Sequence, residues 1–185
     1  MPRARLIAGL VTLALLTTSW CAAAPALAAS AAELNRESSA ELAKLYQKEP
    51  KAKELGAKAK GILVFPRIYK AGFLFGAQYG EGALWRGGKP VAYYNSVAAS
   101  YGLQAGVQAF GYALLLMTDA ALGYLDKSEG FELGVGPSIV VVDSGMARTL
   151  TTSTIQHDIY AFIFDQKGLM AGLGLQGSKL SRISK

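Results

Sequence analysis

Four short runs in the chain share one register, with apolar residues at odd positions and glycine or small polar residues at most even ones. They are Phe73, Phe75, Ala77 and Tyr79; Tyr101, Leu103, Ala105 and Val107; Phe131, Leu133 and Val135; and Leu169, Ala171, Leu173 and Leu175. Leu74 and Met170 are the only bulky apolar residues on the even side. A period of two is the signature of a β-strand, whose successive side chains project to opposite faces. Glycine weakens a strand interior, so its repetition on one face points to sharp curvature or to close approach of another backbone or ligand. The pattern predicts a strongly bent antiparallel sheet.

A different period precedes it. Leu34, Ser38, Leu42, Leu45 and Tyr46 fall on one side of a helix over 31–48, started either at its first residues or by a capping box at Ser38-x-x-Glu41. Pro50 suits the first turn of a second helix that runs to about Lys60, with Gly61 as terminator. Strands are expected at 62–65, 69–79, 83–86 and 90–100, with Gly87-Gly88 as a two-residue hairpin turn. The sheet continues over 102–108 and 112–117. Thr118 or Asp119 then caps a short helix carrying Ala120, Ala121, Leu122 and Leu125. Strands resume at 131–142, with a bulge or edge at Pro137, then form a last hairpin from 155–164 and 169–176, and the tail adds a short strand. The expected fold class is α+β: a single domain, a curved antiparallel β-barrel or roll with two N-terminal helices and one inserted helix.

The first 28 residues stand apart. Arg3 and Arg5 precede an apolar stretch from Leu6 to Leu16, and Ala26-Leu27-Ala28 supplies the small residues of a signal-peptidase site. The expected division is a signal peptide over 1–28 and a domain over 29–185, helical to about 60 and β-rich over about 61–183. No later stretch reaches the roughly 18 apolar residues of a spanning helix. Trp20 before Cys21 argues against lipidation there, since a lipoprotein peptidase needs a small residue at that place. Cleavage removes the one cysteine, so the mature chain has no disulfide or thiolate chemistry. It also removes two arginines and no acid, lowering the net charge from +6 to +4 over about 157 residues.

Candidate catalytic chemistry is sparse. His157 is the single histidine, too few for an ordinary zinc site without leaning on carboxylates. No serine sits in a G-x-S-x-G setting, and Gly177-Ser178-Lys179 is not the Gly-Lys-Ser/Thr of a phosphate loop. The expectation is a protein that is not an enzyme and uses no metal or cofactor. No nucleic-acid module is recognisable.

Three ordered blocks resemble the SYLF domain. Ala59-Lys60-Gly61-Ile62-Leu63-Val64-Phe65-Pro66, Lys70-Ala71-Gly72-Phe73 and Gly76-x-x-x-Gly80-x-Gly82 are similar to its opening. The segment 102–108 with Leu114-Leu115-Leu116-Met117 is similar to its middle. Asp158-Ile159-Tyr160, the run 167–173 and Gln176-Gly177-Ser178 are similar to its end. The resemblance spans about Leu34 to Ile183 and implies lipid binding. Its eukaryotic members include phosphoinositide-binding modules of endocytic and actin-associated proteins, with basic and amphipathic N-terminal residues implicated in membrane contact. Its bacterial members are small exported proteins. Lys89-Pro90-Val91 stands where a tryptophan–serine–proline element is usual.

Together these readings predict a non-catalytic lipid- or membrane-binding protein of the bacterial cell envelope, exported and periplasmic or peripherally membrane-associated. Its partner would be an anionic phospholipid or membrane surface. Lys51, Lys53, Lys58, Lys60, Arg67 and Lys70 would supply attraction, at about 1 kcal/mol per lysine near a charged membrane. Leu42, Leu45 and Tyr46 would either insert into lipid or fix the helices to the sheet. Two alternatives stay open, a small outer-membrane β-barrel and a periplasmic protein-interaction module.

Overall fold

A computed structural model describes residues 29–73, 75–101, 106–127, 131–133, 135–142, 156–168 and 177–185. The signal peptide expected over 1–28 and the strand expected over 169–176 lie outside them. Helix α1 (Ala31–Lys48) begins at Ser30, whose side chain accepts from the Glu33 N–H. Ser38 is instead buried within α1 and accepts from Trp85 Nε1 at 3.2 Å. Helix α2 (Pro50–Lys58) has proline in its first turn, where a missing N–H costs no hydrogen bond.

The strands are β1 (Gly61–Phe73), β2 (Phe75–Arg86), β3 (Lys89–Tyr101), β4 (Gly106–Leu116), β5 (Phe131–Glu132), β6 (Ile139–Val142), β7 (Ile159–Gly168) and β8 (Lys179–Ile183). They form one sheet in the order β5-β8-β3-β2-β1-β4-β7-β6. All pairings are antiparallel except β6 with β7. Helix α3 (Asp119–Leu125) follows β4, capped by the Thr118 side chain, one of the two residues expected there. Asp158 fixes this corner by accepting from the hydroxyls of Thr118 and Ser138 and the Ser138 N–H, each at 2.9 Å. The Ser138 bonds first, then that of Thr118, hold its carboxyl below the ordinary carboxylate range.

Two expectations need correction. Residues 69–79 are not one strand, because Phe73 and Phe75 are register partners and the chain reverses between them. The sheet is also not a closed barrel among the described residues. Its edges are the two-residue β5 and the four-residue β6, and the latter joins in parallel, so neither edge offers a ladder for closure. The sheet is nonetheless rolled. Strands β5 and β6 occupy opposite edges, yet only residues 133–138 connect them. Seven Cα–Cα steps of about 3.8 Å bring those edges within about 27 Å of each other.

Helix α3 and the inward side chains of the roll, including Leu63, Phe65, Ile68, Tyr94, Phe110, Tyr112 and Leu114, make the interior core. The outer face carries a second core. There Leu45, Ala52 and Leu55 of the N-terminal helices pack on Val64, Ala113, Leu115, Tyr160 and Phe162. Asn35 donates to the Tyr93 hydroxyl at 3.0 Å and Lys48 to Asp165 at 3.0 Å, so α1 lies across the sheet from β3 to β7.

Pro66 marks a break in β1, where the register with both neighbours shifts. The glycines opposite it are there for close approach. A Cβ on Gly82 would lie 2.6 Å from the Val64 carbonyl oxygen and 2.8 Å from the Phe65 ring. Gly82→Ala is expected to lower stability by about 1–3 kcal/mol in urea denaturation. Gly123→Ala, in a helix with nothing within 4 Å of the new Cβ, is expected to raise it by about 0.5–1 kcal/mol. Equal effects of the two changes would contradict this packing.

Candidate functional site

The bulge at Pro66 divides the outer face of the sheet. On one side the helices cover Ile62, Val64, Ala113 and Leu115. On the other, apolar residues of the same face are exposed. Val107 is 67% exposed, Tyr69 54%, Tyr79 49% and Val97 45%, and Phe75 is exposed beside them. The register brings them together. Val97 pairs with Tyr79, Tyr79 with Tyr69, and Tyr69 with Ala109, while Ala71 sits between Ala77 and Val107. The odd-position pattern of the sequence therefore faces outward on this half, and the even-position residues Gly76, Gln78 and Gly80 are buried.

Lysines end the row on both sides. Lys179 of β8 pairs with Val97, and Lys167 of β7 pairs with Ala109, both with exposed side chains. One row therefore reads lysine, valine, tyrosine, tyrosine, alanine, lysine across six strands. At the boundary with the helices, Arg67 pairs in register with Glu81. The Tyr69 hydroxyl, with smaller help from Glu37 and Glu41, holds the Arg67 guanidinium above its already high pKa. Glu81 accepts from the Lys185 ammonium at 2.6 Å, and both side chains are nearly buried. A cleft of about 370 Å³ runs between Glu33, Leu34 and Glu37 of α1 and Arg67, Tyr69 and Tyr79 of the sheet.

The residues singled out in the sequence do not form one surface. Lys53, Lys58 and Lys60 are exposed around α2, where Lys60 faces Asp119 at 3.7 Å. Lys51 is partly buried and paired with Glu54. Arg67 is on the outer face, whereas Lys70, two residues beyond Ile68 of the interior core, is buried on the inner one. Leu45 is buried, and Leu42 and Tyr46 are half-buried against the sheet. Tyr46 lies over Gly56 of α2, where a Cβ would collide with its ring. Burial raises the Tyr46 pKa. In this arrangement the apolar trio joins the helices to the sheet, and the exposed apolar surface is the strand row instead. Lys167 and Lys179 escaped the sequence reading because only cross-strand register sets them beside Val97 and Ala109.

Among the described residues no cluster of acidic, histidine or cysteine side chains could hold a metal ion, and no helix is long and apolar enough to cross a membrane. No curated protein matches the chain. Residues 97–184, just under half of the chain, match the Ysc84 family model, described as Las17-binding protein actin regulator. That match takes in β4 to β8 and most of the lysine-ended row, and over these residues the chain is similar to the Ysc84, or SYLF, family that the sequence blocks resemble.

Proposed function

We propose that the protein is a non-catalytic, exported component of the bacterial cell envelope that docks on anionic phospholipid through the open half of its outer sheet face. The observation that carries this reading is the apolar row ended by Lys167 and Lys179. Contiguous exposed apolar surface of this kind marks an interaction site. Tyrosine suits a membrane interface because its ring is apolar and its hydroxyl is wet. Lysines on both flanks fit a negatively charged surface, and their attraction falls as salt screens it. The exposed lysines of α2 add longer-range attraction.

Co-sedimentation with phosphatidylglycerol and phosphatidylcholine vesicles tests this. Wild type is expected to bind phosphatidylglycerol at low salt and to release at high salt. Lys167→Glu with Lys179→Glu is expected to weaken binding by roughly tenfold or more. Charge reversal of Lys51, Lys53, Lys58 and Lys60 together is expected to act less strongly. Equal binding to both lipids, or an unaltered affinity in the Lys167/Lys179 variant, would overturn the reading.

A further inference from the structure

The interior face of the roll also breaks its apolar pattern, in a row that the outer surface does not use. Gln78, Lys70 and Gln108 are register partners across β2, β1 and β4. All three are buried, Lys70 being 8% and Gln108 1% exposed. Ser96, opposite Gly80, and Tyr112 are buried on the same face.

Three of these groups, Gln108, Ser96 and Tyr112, lack hydrogen-bond partners. Neither polar atom of the Gln108 amide has a hydrogen bond among the described residues, nor does the Ser96 or the Tyr112 hydroxyl. The two hydroxyls are neighbours, but no bond of normal geometry joins them. Gln78 reaches Ser178 only at 3.4 Å. No ion pair joins Lys70 to any described carboxylate. The interior face of β1–β4 carries no acid, since Glu81 of β2 faces outward with Arg67.

Buried polar groups in a stable fold are ordinarily satisfied, and an unpaired buried charge is the costliest exception. An ammonium donates and cannot accept, amides donate through nitrogen, and hydroxyls donate freely. Burial keeps the Tyr112 hydroxyl protonated, and so a neutral donor, by pushing its pKa up. An acceptor carrying negative charge would meet the Lys70 ammonium and the unpaired N–H and O–H donors of this face together. Ile68 and Phe110 form the adjoining register pair on this face, and Leu180 pairs with Ser96, so apolar surface adjoins the donors.

We propose that the interior face binds the anionic head group, carboxylate or phosphate, of a ligand bearing an apolar chain. Lys70 is its charge partner, and Gln78, Gln108, Ser96 and Tyr112 are its hydrogen-bond donors. The site lies on the opposite face from the membrane-docking row and stands or falls without it.

Residues 29–185 contain every described helix and strand, and this chain is titrated calorimetrically with dodecanoate, dodecyl phosphate and inorganic phosphate. Dodecyltrimethylammonium serves as the oppositely charged control. Both anionic amphiphiles are expected to bind at one per chain and the cation is not. Inorganic phosphate binding as tightly as dodecyl phosphate would assign the site to a free anion, whereas weaker binding assigns it to a head group with its chain. Lys70→Met is expected to lower affinity at least tenfold without lowering the melting temperature, because it removes a charge that no described carboxylate balances. Gln108→Leu, a second variant of similar volume, is expected to weaken binding as well. Both variants should bind phosphatidylglycerol vesicles as wild type does. The proposal is overturned if wild type binds none of the three anions, or if Lys70→Met binds them as tightly as wild type.

Discussion

Leu55→Ala is expected to lower the stability of the folded chain by about 2–5 kcal/mol, the range for removing a large side chain from a closed core. Leu55 is fully buried and belongs to the cluster that joins Leu45 and Ala52 to Val64, Leu115 and Phe162. Helix α2 has nine residues, too few to persist in water without tertiary support. Its loss would also uncover Tyr46, which α1 lays over Gly56. Urea denaturation checks this, with an unchanged slope and a lower midpoint as the expected result. A cost below about 1 kcal/mol would mean that the helices are loosely held arms, and the membrane reading would then return to Leu42, Leu45 and Tyr46.

The second large effect is on binding. Tyr69→Ser, Tyr79→Ser and Val107→Ser together are expected to weaken association with phosphatidylglycerol vesicles about 100-fold. Each side chain is already 49–67% exposed, so lipid contact buries only part of it, about 1 kcal/mol apiece. Three such losses convert to roughly two orders of magnitude. Folding stability should stay within about 0.5 kcal/mol per site, as for ordinary surface changes. Binding within threefold of wild type would remove the strand row from the account.

The pattern of the sequence carried the roll, the Gly87-Gly88 turn and the Thr118 cap, because each is encoded by neighbours in the chain. Both turn glycines have positive φ, 55° and 76°, as a two-residue hairpin requires. The reversal between Phe73 and Phe75 was illegible for a physical reason. With Phe73 opposite Phe75, odd positions stay on the same face of both strands, so the period-two register passes from one strand to the next without a break. The same register could have separated Lys70 from Arg67. Lys70 shares its parity with Gly72 and belongs inside, whereas the lysine run before it reads as one basic stretch. Alternation distinguishes two faces but does not say which of them a helix covers. That boundary is set by where α1 and α2 dock and by the break at Pro66, both products of packing between residues far apart in sequence.

The most direct test of which surface meets the membrane uses spin labels, for which a chain from residue 29 is well suited because it contains no cysteine. Labels are introduced singly through Val107→Cys on the open sheet face and Tyr46→Cys on the helix pair. Collision with lipid-soluble oxygen and with a water-soluble nickel complex is then measured before and after adding phosphatidylglycerol vesicles. The label at 107 is expected to gain oxygen collisions and lose nickel collisions, while the label at 46 changes little. A label at 46 that enters the lipid while the one at 107 stays in water would contradict docking through the open sheet face.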